Sequence, residues 1–173
     1  GIGQFNLESE EEGAELSALA EARGMRARCA LRVNPDIDAG THDKISTGKA
    51  DNKFGVPIDR AAQIYARLAA MPGLEMRGLA VHIGSQLADL APLESAFEKL
   101  GALLSTLRAA GHTITHMDLG GGLGVPYKAG DVMPSPADYG AMGARVTRGW
   151  GVTLMFEPGR VIAGNAGVLL TRV

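Results

Sequence analysis

Short apolar runs alternate with longer stretches of helical period along this chain. Residues 2–7, 29–33, 78–83, 115–119 and 153–156 read as five strands. Four segments between them carry apolar residues at helical spacing. The first, about residues 9–23, places Leu16, Leu19 and Ala20 on one face. Ser9 reads as its N-cap with Glu12 at N3, a capping box, and Gly24 as its stop. Pro57 opens the second helix, where Ile58, Ala61, Tyr65 and Leu68 keep the period. The third has the cleanest repeat, Leu93, Phe97, Leu100, Leu104 and Leu107, closed by Gly111. Ser135 caps the fourth, with Pro136 at N1, Asp138 at N3, and Tyr139, Met142 and Val146 turned inward. A helical turn at 161–165 and a β-rich run at 167–173 follow. Strict β-α alternation predicts parallel strands with crossover helices. An open doubly wound sheet and a (β/α)8 barrel both satisfy it. The polar stretch from Asp36 to Gly55 is longer than a connector needs, a mark of function or disorder.

Composition narrows the class. The chain has 17 Lys and Arg against 19 Asp and Glu, a formal charge of −2, and one cysteine. It therefore carries no disulfide framework and no basic arm for nucleic acid. No run approaches the ~20 apolar residues of a membrane span. Gly is 24 of 173 residues, about twice the ordinary share of ~7%. Both ends lie in strand-like sequence, without an initiator Met or a signal peptide, so the chain reads as a piece of something larger.

Ligand sites in both architectures lie at the C-terminal ends of strands. The polar signals collect there: Arg32, Asn34 and Asp36 after the second strand; His82, Gly84, Ser85 and Gln86 after the third; Glu157, Pro158, Gly159 and Arg160 after the fifth. The fourth strand runs into Gly120-Gly121-Gly122-Leu123-Gly124. Such a run is either a tight turn or a cradle whose amides converge on an anion; its place after a buried-type strand favours the cradle. It lacks the dinucleotide spacing, since Tyr127 stands where the last Gly belongs, and Gly48-Lys49-Ala50 is no P-loop. His82 suits either a hydrogen-bonded core residue or a catalyst, and Ser85 either a turn or a ligand. Glu157 and Arg160 read either as a surface ion pair or as an oriented carboxylate and guanidinium, with Pro158 fixing the backbone between them. His112 and His116 have no further ligand at metal spacing and read as surface or loop residues.

In order, these residues resemble the (β/α)8-barrel pyridoxal-phosphate decarboxylases. The resemblance runs through Phe5-Asn6-Leu7-Glu8-Ser9, Arg32-Val33-Asn34-Pro35-Asp36, Asp38-Ala39 with Thr41-His42, Ile45-Ser46-Thr47-Gly48 and Asn52-Lys53-Phe54-Gly55. It continues through His82-Ile83-Gly84-Ser85-Gln86, the glycine run and Glu157-Pro158-Gly159-Arg160. The Thr41 to Gly48 loop and Gln86 resemble the branch acting on diaminopimelate rather than ornithine or arginine.

The resemblance implies roles. His82 would stack on the pyridoxal ring; Ser85, Gly121, Gly122 and Gly159 would bind the phosphate of pyridoxal 5′-phosphate (PLP). Glu157 would pair with the pyridine nitrogen, so that His82 and Glu157 are the catalytic candidates. Arg160 would contact the phosphate or the substrate's distal carboxylate, and Arg32 would line the pocket. Lys53 would serve structure or an interface. The implied reaction converts meso-2,6-diaminoheptanedioate to L-lysine and CO2, in a cytoplasmic homodimer with no metal, nucleic acid or membrane partner. None of Lys44, Lys49, Lys53, Lys99 and Lys128 matches the family's cofactor-anchoring lysine. A full barrel takes ~250 residues. The expectation is therefore a central barrel piece over residues 1–165, with 166–173 opening a C-terminal β domain, inactive alone. An ornithine or arginine decarboxylase and a non-catalytic PLP-binding barrel are the alternatives.

Overall fold

The computed structural model describes residues 1–38, 54–168 and 170–172. Most of the Asp36 to Gly55 loop, with the Thr41-His42, Ile45 to Gly48 and Asn52-Lys53 motifs, lies outside the described residues. So do Lys44, Lys49 and Lys53.

Among the described residues six parallel strands and five helices follow in the order β1 (Phe5–Leu7), α1 (Glu10–Glu21), β2 (Ala27–Asn34), β3 (Val56–Pro57), α2 (Ile58–Ala69), β4 (Leu74–Ala80), α3 (Ala91–Ala109), β5 (His116–Asp118), α4 (Pro136–Val146), β6 (Thr153–Met155) and α5 (Gly159–Ala163). The main sheet runs β1-β2-β4-β5-β6, with the two-residue β3 pairing the end of β2. With β3 set aside, each strand of the main sheet lies beside the next in the chain and the order never reverses. A doubly wound sheet reverses at its ligand crevice; a barrel wall does not. The topology thus selects the barrel wall.

Side chains along a strand alternate between faces. On one face Leu7, Cys29, Leu31, Val33, Leu79, Met117 and Leu119 join the apolar core. Ala61, Ile64, Tyr65 and Leu68 of α2 and Leu93, Phe97, Leu100, Leu104 and Leu107 of α3 complete it. The other face carries Arg32, Ala80 and Asp118 in register, with Asn6 one row away opposite Ala30. A bulge keeps that register. Cys29 pairs Met76 but Ala30 pairs Gly78, so Arg77 is the extra residue. Gly78 suits the spot, because a Cβ there would lie 2.6 Å from the His116 carbonyl.

Several expectations are corrected. The third strand begins at Leu74 rather than Gly78, the first begins at Phe5, and His116 is a strand residue. The last helical turn comes two residues early, at Gly159. None of the described residues after Ala163 forms a strand. Leu19, expected on the buried face of α1, is 55% exposed. Ala20 faces inward as expected, but Gly13 and Ser17 accompany it in place of Leu19. Small residues suit that contact, since a Cβ on Gly13 would meet Leu68 Cδ2 at 2.2 Å. Leu19 lines an open groove of about 590 Å³ with Ile2, Phe5, Leu16 and Met25. At Ser9 the box is half formed: Ser9 Oγ accepts from the Glu12 amide, but the Glu12 carboxylate accepts from the Glu8 amide, one residue short of the reciprocal bond. The box at Ser135 and Asp138 is complete.

The α3 face anchors these elements. Leu100→Ala in the complete protein is expected to cost about 2–5 kcal/mol, the range for emptying a buried leucine site, read as a fall in the urea midpoint. A loss below about 1 kcal/mol would place the anchor elsewhere.

Candidate functional site

The inward row ends in an open cavity of about 240 Å³ at the C-terminal edge of the sheet. Asn6, Glu8, Arg32, His82, Asp118 and Glu157 line it, with Ala80 and Val81. Asp118 is its hub and is only 3% exposed. One carboxylate oxygen accepts from Asn6 Nδ2 and the other from the Gly120 amide, each at 2.9 Å. Gln4 Nε2 donates in turn to Asn6 Oδ1, fixing which way the amide points. Glu8 clamps the opposite side: one oxygen pairs with Arg32 and the other accepts from the Gly55 amide at 2.8 Å. The Arg32 guanidinium lies over the Phe54 ring, 5.2 Å from its centroid.

The glycine run forms a neighbouring wall. A small cavity of about 80 Å³ is lined by Gly120, Gly121, Gly122, Leu123, Tyr139, Phe156 and Arg160, with Pro136, Pro158 and Val161. Backbone crowding, as well as turn geometry, requires glycine here. A Cβ would sit 2.1 Å from the Glu157 carbonyl oxygen at Gly121, and 2.2 Å from that of Gly84 at Gly122, where φ is +103°. Two of the run's amides are committed inside the protein: Gly120 to Asp118 and Gly121 to His82 Nδ1, at 3.2 Å. The Gly124 amide bonds the Leu87 carbonyl. Gly122 and Leu123 keep amides with no protein acceptor among the described residues. The two cavities are tied by the His82–Gly121 bond and by the Glu157 amide, which donates to the Gly120 carbonyl at 2.7 Å.

Charge is distributed unevenly across this pair of cavities. Burial holds the His82 imidazole below its ordinary range, and the Arg32 charge adds to this while Asp118 opposes it. Accepting from Gly121 leaves Nδ1 bare, so His82 is a neutral imidazole protonated at Nε2. The Glu157 carboxyl is pushed above the usual carboxylate range. Partial withdrawal from water acts first and the adjoining Asp118 charge second, against the pull of Arg32.

Arg160 stands at the other cavity, where Gln86 orients it. Gln86 Oε1 accepts from Arg160 Nη1 at 3.3 Å and from the Val125 amide at 3.1 Å, while its Nε2 donates to the Val125 carbonyl at 2.6 Å. Gln86 adopts φ +59°, a left-handed conformation uncommon for a residue with a side chain. The Tyr127 ring centroid lies 5.9 Å from the guanidinium carbon.

Of the expected site residues, Arg32, His82 and Glu157 meet at the larger cavity and Gly121, Gly122 and Arg160 at the smaller. Ser85 and Gly159 line neither. No sequence signal singles out Asp118, and the motifs assign no site role to Asn6, Glu8 or Gln86. Among the described residues no group of three His, Cys, Asp or Glu could hold a metal ion. No described helix is long and apolar enough to cross a membrane.

Comparison with known proteins places the chain in a family. Residues 1–164 match the family model for the pyridoxal binding domain of pyridoxal-dependent decarboxylases. The diaminopimelate decarboxylase of Zymomonas mobilis is 52% identical over 100% of this chain and 41% of its own. That of Vibrio cholerae is 49% identical over 98% of this chain and 40% of its own. A crystal structure of diaminopimelate decarboxylase from Helicobacter pylori complexed with L-lysine shares 37% identity at a TM-score of 0.89, over 93% of this chain and 41% of that one. The chain spans about two fifths of the length of the curated relatives it matches.

The raised proton affinity of Glu157 has a consequence for stability. Its folded-state affinity exceeds the unfolded one, so its contribution is full below the ordinary carboxylate range and lost as pH rises through the folded value. In the cofactor-free complete protein, Glu157→Gln is expected to raise the melting temperature at pH 7, with the gap closing towards pH 4. A lower melting temperature at pH 7 would show that the pull of Arg32 prevails over Asp118.

Proposed function

The chain belongs to the pyridoxal-dependent decarboxylase family, and from that we propose that it holds PLP for the decarboxylation of meso-2,6-diaminoheptanedioate to L-lysine within the complete protein. The observation that carries this reading is the opposed polarity of the two joined cavities. Glu8, Asp118 and Glu157 face a single cation, Arg32, in the larger one, whereas free amides and Arg160 meet in the smaller. A ligand with a cationic ring and an anionic tail matches that division. The amides of Gly122 and Leu123, lacking protein acceptors, fit a phosphate. The substrate is supported by relatives of 49–52% identity named for diaminopimelate and by the lysine complex of a related structure.

In this reading Gly121 and Gly122 seat the phosphate, joined by Ser85 and Gly159 from the adjoining turns. Arg160, aimed by Gln86, meets either the phosphate or the distal carboxylate of the substrate; its planar fork suits both. Arg32, spanned between Glu8 and Phe54, forms the side of the ring pocket. His82 lies against the ring. As a neutral imidazole with its plane fixed by Gly121, it adds no charge to oppose a pyridinium. Glu157 keeps a proton on the ring nitrogen by standing beside it as a carboxylate. When bound, PLP supplies an electron sink for the pair left on Cα as the carboxylate departs as CO2. Lys99 donates to the carbonyls of Pro35 and Asp36, and Lys128 is exposed. None of the five lysines of this chain matches the family's anchoring motif, so the covalent anchor is assigned to the longer protein outside these residues. A cytoplasmic homodimer belongs to the same proposal.

In the complete protein, turnover is expected with meso-2,6-diaminoheptanedioate and not with ornithine or arginine; the reverse preference would refute the substrate. Glu157→Gln is expected to lower kcat about 100-fold or more, the scale of a lost electrostatic partner, with PLP affinity nearly unchanged. An unaltered kcat would remove Glu157 from its role. Borohydride reduction followed by peptide mapping is expected to find the pyridoxyl group on a lysine outside these 173 residues; a label on any of Lys44, Lys49, Lys53, Lys99 or Lys128 would overturn that assignment.

A further inference from the structure

Two carboxyl groups meet in the larger cavity without a cation between them. Asp118 and Glu157 both line it, together with Glu8, Arg32 and His82. Arg32 comes from β2, Glu8 follows β1 and His82 follows β4. The Arg32 guanidinium is engaged by Glu8 and by the His82 carbonyl. β5 and β6 run side by side, with Asp118 opposite Met155. Past that pair the Gly120 amide is tied to Asp118 and the Gly120 carbonyl to the Glu157 amide. The two strand ends are thereby held together, and the side chains of Asp118 and Glu157 share a hydrogen bond. Two ionised carboxylates have no proton to donate, so one of them carries it. Asp118 is the acceptor. It is buried, each of its oxygens already accepts one bond, from Asn6 or Gly120, and each keeps a second lone pair. Glu157 is exposed and supplies the O–H.

Resting on the placement of Glu157 beside the ring nitrogen proposed above, we infer that Asp118 is the positioning residue of Glu157, and that the pair holds one proton which leaves Glu157 as the cofactor ring enters. The Glu157 O–H bond breaks in this step. Its proton moves to the ring nitrogen if that atom arrives bare, and to water if it arrives already protonated. Either way Glu157 ends as a carboxylate accepting from the ring N–H, with Asp118 still anionic behind it. Partial withdrawal from water and the Asp118 charge both hold the proton on Glu157 beforehand, against the pull of Arg32. A ring cation reverses that balance, because it gives both carboxylates an opposite charge to face. His82, neutral through its bond to the Gly121 amide, brings no competing cation.

Infrared difference spectroscopy on the complete protein, freed of cofactor and then mixed with PLP at pH 6, reads the proton directly. In wild type, PLP is expected to remove a carboxylic-acid carbonyl band. Glu157→Gln is expected to show no such loss, which assigns the band to Glu157. Asp118→Asn is expected to show none either, because Glu157 is then ionised before PLP arrives. Asn6→Ala removes one support of Asp118 but leaves both carboxyls; it is expected to melt lower and to keep the band. No loss of the band in wild type overturns the inference. A band that persists in Asp118→Asn overturns it too, since Glu157 would hold its proton without Asp118. So does a band abolished by Asn6→Ala, since Asp118 would then act through the fold. If Asp118→Asn does not fold, the pH at which the cofactor-free wild-type band disappears decides: a midpoint inside the ordinary carboxylate range overturns the pairing. If PLP binds and Glu157→Gln loses turnover while no band disappears in wild type, Glu157 keeps its proposed role and the pairing falls. If the wild-type protein takes up no PLP, both fall.

Discussion

A carboxylate buried at a strand end is costly unless its lone pairs are occupied. Asp118 is such a group, and the neighbouring geometry follows from how it is satisfied. It draws Asn6 across from β1 and the Gly120 amide down from the start of the glycine run. The first bond ties the two strands that flank the interior row. The second bends the chain at Gly120, where φ is +67° and a Cβ would sit 2.2 Å from the Val81 carbonyl oxygen. Past that bend, the Gly121 amide meets His82 and the Gly120 carbonyl meets the Glu157 amide. One buried charge thereby sets the imidazole, the turn and the second carboxyl. It also acts directly on Glu157, whose proton affinity it raises through its charge and a side-chain hydrogen bond.

Much of this fold could be read locally. The repeat from Leu93 to Leu107 and the Ser135 cap depend on residues within a turn or two, and both stand as expected. The start of β4 did not, because the bulge at Gly78 shifts the alternation within one strand. Leu74 and Met76 share the face later taken by Leu79 and Val81, and a single period cannot span the shift. Leu19 misled for a related reason. Helical period marks a face but not its width, and the seat of α1 is built from Gly13, Ser17 and Ala20. The strand pattern alone leaves barrel wall and open sheet both open, since strand order is a relation among distant segments; the order of motifs, through the family resemblance, is what points to the barrel.

The site divides in the same way. His82, Glu157 and Arg160 announced themselves as reactive side chains directly after apolar strands. Asp118 looked like one acid within a strand, and its partner Asn6 lies 112 residues away. Gln86 was visible as a motif letter, but its service to Arg160 depends on Val125, brought in by another loop. Ser85 shows the converse: a suitable residue type in a suitable motif that lines neither cavity. Residue type and order identify the strand ends, whereas the hydrogen bonds between strand ends decide which groups face one another.

The glycine run meets two demands that are often argued separately. Crowding against the carbonyls of Val81, Glu157 and Gly84 would exclude side chains there even with no ligand in view. That crowding is also what allows one short segment to touch the turns after β4 and β6 at once. Two of its amides are then absorbed by Asp118 and His82, and the following two belong to residues that line the smaller cavity and have no acceptor among the described residues. The same backbone thus neutralises part of the acidic side and presents donors on the other. A ligand of reversed polarity, anionic at the ring and cationic at the tail, would meet Glu157 and Asp118 at one end and Arg160 at the other. Close packing of the run therefore supplies a direction as well as a seat. Orientation of the bound molecule follows from where its charges are accepted, before any residue acts on a reacting atom.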